Sequence, residues 1–196
     1  MSDNDDLPPA FAGGILLLSS AALFFYTLAP TLLWGDDAMF QQAMATGALT
    51  DHPVWGAIAH LLARVPLGDY AFRANLASAI YAVGAVGFVF LTAIALGAGP
   101  RAAFSAGAIL VISQAFWLHA VRAEVYTLHL LLFFGGVWAF LHWRQATNNW
   151  LWFVLGFAFW LAGAVNHLLL ALAFPGGLWL LLSASTPVAR RRMLSW

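Results

Sequence analysis

The sequence predicts an all-α, polytopic transmembrane helix bundle of about six spans. Three observations predict it. Hydrophobic residues make up 63% of the chain and charged residues 8%, far from the averages of soluble proteins. The apolar residues gather into runs close to the roughly 20 residues that cross a bilayer. Between the runs stand short segments that hold most of the Asp, Pro and Arg residues. Composition also excludes several classes. Cysteine is absent, so neither a disulfide framework nor a thiolate metal site can form. Eight acids balance eight arginines and lysine is absent, which leaves no basic face for nucleic acid.

The N-terminal stretch MSDNDDLPPA is acidic and lacks the basic region of a cleaved signal peptide, so the first apolar segment is expected to stay as an anchor. Spans are predicted over residues 11–33, 71–96, 102–119 and 125–142. Residues 150–182 are too long for one crossing and are interrupted by GAVNH. They predict two helices meeting near Asn166, or one broken helix. All 196 residues are read as one transmembrane domain embedded in the lipid bilayer.

Residues 34–70 lie between the first two spans. Met39, Phe40, Ala43 and Met44 recur at helical spacing opposite Gln41 and Gln42, which predicts a short helix lying in the interface. Pro53 suits the first turn of a second short helix running to about residue 65 and resting on the membrane surface.

Arginine placement sets the orientation. Arg101, Arg144 and the run Arg190, Arg191, Arg192 share one side, and Arg64, Arg73 and Arg122 share the other. The larger group is expected in the cytoplasm, which makes 34–70 the first extracytoplasmic loop. Asp36, Asp37, Asp51, Asp69 and Glu124 then meet at the outer boundary, with His52, His119 and His167. Ionisable groups at membrane depth are costly and tend to be functional. Some of these residues have plainer uses. Asp69 can cap the second span and pair with Arg73 at i, i+4, Arg64 can snorkel, and His129 and His142 fit packing or interfacial positions. Carboxylates and imidazoles also suit a divalent metal ion, although no spacing here matches a tight metal motif.

Four stretches occur in a recognisable order: LLWGDDAMF, DHPVWGAIAHLLARVPLGDYAFRANLASAIYAVGA, SQAFWLHAVRAEVYTLHLLL and GAVNHLLLAL. Together they resemble the protein O-mannosyltransferase-like membrane family of the GT-C glycosyltransferase superfamily. The resemblance implies a GT-C-like fold and a place as the N-terminal portion of a longer enzyme in a bacterial inner membrane. It implies transfer of a sugar from a polyprenyl-phosphate-linked donor to a protein or glycan acceptor on the extracytoplasmic face, without an organic cofactor. It makes Asp36 the catalytic base, with Asp37 beside it. Arg122, next to Glu124, would meet the donor phosphate, whose oxygens match a guanidinium fork. His52, Arg73, Tyr126, Asn166 and His167 fall on the family's substrate-binding motifs. A transporter-like protein and a non-catalytic assembly subunit are the competing readings of the same residues.

Overall fold

The computed structural model describes residues 7–145 and 149–183. The Arg190 to Arg192 run, on which part of the orientation argument rests, lies outside them. Among the described residues the chain is helical and has no strand.

Helix α1 (Pro9–Tyr26) starts on a proline at its first turn, where the missing N–H costs nothing. It stops well short of residue 33. Pro30 disfavours helical backbone at Ala29, and Thr27 turns its hydroxyl onto the Leu23 carbonyl at 2.7 Å. The segment that follows is tied down by long-range bonds: the Ala29 N–H donates to the Val121 carbonyl at 2.9 Å. Helix α2 (Asp36–Thr46) runs between two glycines with positive φ, Gly35 at 75° and Gly47 at 72°. Its first turn holds Asp36 and Asp37, where acids complement the helix dipole. Its inner face differs from the predicted one. Asp37, Phe40, Gln41, Ala43 and Met44 are buried, whereas Met39 is exposed. Gln41 turns inward because a buried polar partner on the next span awaits it.

Helix α3 (Pro53–Leu62) opens on Pro53 as expected and is shorter than predicted. It buries Trp55 and Ala59 and packs against α2 and α8, closing over the end of the bundle. Helix α4 (Tyr70–Ala95) is the central span. The Asp69 carboxylate caps it, accepting from the Phe72 N–H at 2.7 Å. Arg73 donates to carbonyls of the preceding loop, Ala63 and Val65 at 2.7 Å, and to the Asp69 carbonyl at 3.2 Å. Small buried residues along α4 (Ala71, Ala74, Ala77, Ser78, Ala82, Ala85) let neighbouring helices approach closely.

The third predicted span is broken. Helices α5 (Pro100–Ile112) and α6 (Gln114–Ala120) meet at 71°, because Ser113 takes extended backbone at ψ 120°. Helix α7 (Tyr126–Gln145) follows the tight turn at 121–125, and α8 (Trp150–Asn166) is capped by Asn149. The predicted break falls where expected: His167 is extended, a 3-10 segment covers Leu168–Ala173, and α9 is Phe174–Ser183.

Three helices, α1, α4 and α7, are long and apolar enough to cross a membrane, or four crossings if α5 and α6 form one bent span. These helices fit an integral membrane protein. Among the described residues α8 and α9 are too short to count with them, so the expected six spans are reached in part. One apolar cluster joins α1, α4, α5 and α6 around Leu16, Phe24, Val86 and Phe90. A second, around Phe40, Met44, Trp55 and Leu128, lies beneath α2 and α3. The ends of the bundle are distinct. Gln145 donates to the Ala95 carbonyl at 2.8 Å, which joins the end of α7 to the end of α4. The loop 27–69, the turn 121–125 and the break at His167 lie at the opposite end.

Candidate functional site

The polar end is built on two residues of α4 spaced one turn apart. Asn75 is fully buried and makes four hydrogen bonds. Its Nδ2 donates to the Ala29 and Thr31 carbonyls at 2.8 and 3.3 Å. Its Oδ1 accepts from Gln41 Nε2 on α2 and from the Ala123 N–H, both at 2.9 Å. Gln41 in turn accepts from the Leu33 N–H at 3.1 Å. One turn on, the Ser78 hydroxyl accepts from the Glu124 N–H at 3.1 Å and donates to the Glu124 carbonyl at 3.2 Å. Buried polar groups are costly unless paired. This side of the joint satisfies them by fixing α2 and the 121–125 turn to the same helix.

That joint brings Asp37 and Glu124 to the two sides of Arg122. Arg122 Nη1 stands 3.5 Å from Asp37 Oδ2, and Nη2 stands 3.6 Å from Glu124 Oε1. His119 Nδ1 lies 3.8 Å from the same Glu124 oxygen. Both carboxylates are buried, while the arginine side chain is one-third exposed. These separations exceed the 2.7–2.9 Å of a closed charge-assisted bond. Asp37 Oδ1 and Arg122 Nε are buried without a hydrogen-bond partner among the described residues. Burial raises the Asp37 carboxyl, with Asp36 adding to the rise and Arg122 opposing it. Burial, reinforced by Asp37, pushes Glu124 up to about 7 against the pull of Arg122. Asp36 is exposed at the first turn of α2.

A line of rings continues from this ionic group. The Tyr126 ring lies 4.6 Å from His119 and 5.8 Å from His167. His167 stacks on His52 at 5.3 Å, with 4° between their planes, and meets His129 edge-on at 5.5 Å. His52 Nδ1 is 2.6 Å from the Asn166 carbonyl. A carbonyl only accepts, so Nδ1 carries the proton. Asn166 Oδ1 accepts from the Trp55 N–H at 2.8 Å, which locks α3 to the end of α8. Asp51 lies 3.5 Å from the other nitrogen of His52.

The structure therefore gathers Asp37, Arg122, Glu124, Tyr126, His167, His52 and Asn166 into one continuous strip, with Asp36 at its edge. Arg73 stands apart from the strip. Its guanidinium is occupied by loop carbonyls, and it also lies 4.5 Å over the Tyr70 ring. Sequence reasoning passed over Asn75 and Ser78 and placed Gln41 on the outer face of α2. The signal for the first two was polar residues at i and i+3 within an apolar span. Among the described residues, no group of three or more His, Asp or Glu is arranged to hold a metal ion.

Residues 41–189 match the family model described as the protein O-mannosyl-transferase TMEM260 N-terminal domain. The chain belongs to this protein O-mannosyl-transferase family. The family's name denotes a glycosyltransferase. The match takes in His52, Arg73, Arg122, Glu124, Tyr126, Asn166 and His167, and begins just after Asp36 and Asp37. No solved structure matches the chain.

Proposed function

We propose that this chain transfers mannose from a polyprenyl-phosphate carrier to a hydroxyl of a protein or glycan acceptor, at the extracytoplasmic face of the membrane. One observation carries the reading: a half-open arginine held between two buried carboxylates, at one end of a helix bundle, in a family named for O-mannosyl transfer. Its contacts to Asp37 and Glu124 are loose enough for phosphate oxygens to compete for the guanidinium fork, to which they bind strongly.

Asp36 is the base in this scheme. It is exposed beside the arginine's partner Asp37, so an acceptor hydroxyl can reach it. As the acceptor oxygen bonds to the anomeric carbon, its proton passes to Asp36. The bond from that carbon to the phosphate oxygen breaks, and the lipid phosphate leaves with the electron pair. Arg122 offsets the charge that develops on it. Asp37 holds Arg122 rather than taking the proton.

The test is donor class. The purified protein in lipid vesicles should pass labelled mannose to an acceptor from polyprenyl-phosphate mannose and not from a nucleotide-linked mannose. Use of the nucleotide donor, or of neither, contradicts the proposal.

A further inference from the structure

Arg122 and its two acids account for one charged group of a ligand, but they leave the ring-lined half of the strip without a partner. Hydrogen bonds settle what that half can offer. The Leu169 N–H donates to His167 Nδ1 at 3.2 Å, so the neutral ring carries its proton on Nε2 and presents a donor there. The Trp55 N–H requires oxygen at the near position of the Asn166 amide. The amide nitrogen Nδ2 is therefore a buried donor without an acceptor among the described residues, in a residue only 1% exposed. His129 Nδ1 is likewise buried and has no partner among the described residues. Beside these groups the Tyr126 ring is exposed.

Unpaired buried donors and acceptors are rare and call for a partner. A purely apolar ligand would leave them unpaired. A second anion would meet Asp51 beside His52 and Glu124 beside His119. A pyranose fits the set, because its hydroxyls both donate and accept and its C–H face can rest on the negative face of an aromatic ring.

We propose that Tyr126, His167 and Asn166 form the subsite for the hexose ring of the lipid-linked donor, with its phosphate at Arg122. This rests on the donor reading given above. The sugar lies against Tyr126, and its hydroxyls pair with His167 Nε2–H and the Asn166 amide nitrogen. Phosphate affinity and sugar recognition are thereby assigned to separate side chains.

Two probes separate the claims: bare polyprenyl phosphate and polyprenyl-phosphate mannose, each titrated against the protein in lipid vesicles. His167→Ala and Tyr126→Ala should weaken binding of the mannosylated probe about tenfold or more, since a lost hydroxyl partner is strongly felt in a buried site. Binding of the bare phosphate should change less than about twofold. His167→Gln keeps an N–H donor and should recover part of the loss, and Tyr126→Phe, which keeps the ring, should bind like wild type. These two variants carry the test if the alanine variants do not fold. Arg122→Ala should weaken both probes. Equal loss of both probes in folded His167→Ala, or no loss of either, overturns the subsite. If Arg122→Ala leaves both affinities unchanged while the ring variants still discriminate, the phosphate assignment fails and the sugar subsite stands.

Discussion

Asn75→Ala should loosen the joint on which the whole polar end is built. The substitution removes the shared acceptor of Gln41 Nε2 and the Ala123 N–H, and the donor to the Ala29 carbonyl. Asn75 and Gln41 are buried at 0% and 1% exposure, so water does not readily replace the lost partner. A buried group left unpaired costs about 1–3 kcal/mol, and two donors are stranded here. With partial relaxation the expected loss is about 2–4 kcal/mol. Asn75→Asp keeps both accepted bonds but sets a carboxylate against the Ala29 and Thr31 carbonyls, so it should fall between alanine and wild type. Tryptophan fluorescence during unfolding in detergent reads the loss as a lower midpoint. The same variant should also bind the donor phosphate less well, because Asn75 ties the helix of Asp37 to the turn of Arg122. An Asn75→Ala protein within about 0.5 kcal/mol of wild type would refute the role assigned to the hub.

Glu124 titrates at about 7 in the folded chain against an ordinary 4.5. A raised carboxyl stabilises most below pH 4.5, and its contribution is lost as pH rises through 7, so wild-type stability should decline over that window and Glu124→Gln should flatten the decline. Asp37, also raised by burial, contributes a decline of the same sign that persists in that variant. Gly136→Ala should destabilise by about 1–3 kcal/mol through overpacking. The new Cβ would stand 2.0 Å from Trp160 Cδ1, and Gly177 closes on the other edge of the indole, so the ring cannot retreat; an unchanged unfolding midpoint would contradict this. Because the chain has no cysteine, Ala48→Cys and Arg101→Cys can be labelled singly with an impermeant thiol reagent. They should react from opposite sides of the membrane, the first from outside.

The features legible in the sequence were those set by local chemistry. The starts of α3 and α4 followed from Pro53 and Asp69, and the break at Asn166 from its polar pair in an apolar run. Most of what escaped was decided at long range. Periodicity placed Gln41 on the outer face of α2, yet its hydrogen bond to Asn75, 34 residues away, turns it inward and leaves Met39 exposed. The early end of α1 was available locally in Pro30 and was not read, whereas the 71° bend at Ser113 lies beside a long-range contact, Trp117 Nε1 donating to Thr27 Oγ1 at 3.0 Å. The acids and histidines were recognisable as a group, but their order was not. Only the packing shows that Asp37 holds Arg122 and that His167 stacks on His52.

If this polar end transfers a sugar with Asp36 as the base, turnover of polyprenyl-phosphate mannose with an acceptor hydroxyl tests it directly, comparing wild-type protein with Asp36→Asn and Asp37→Asn in lipid vesicles. Asp36→Asn preserves shape and donor affinity but removes the proton acceptor, so turnover should fall by about 10²-fold or more. Asp37→Asn should act mainly on donor affinity, because it releases Arg122. Near wild-type turnover in Asp36→Asn, with donor binding intact, would rule out Asp36 as the base.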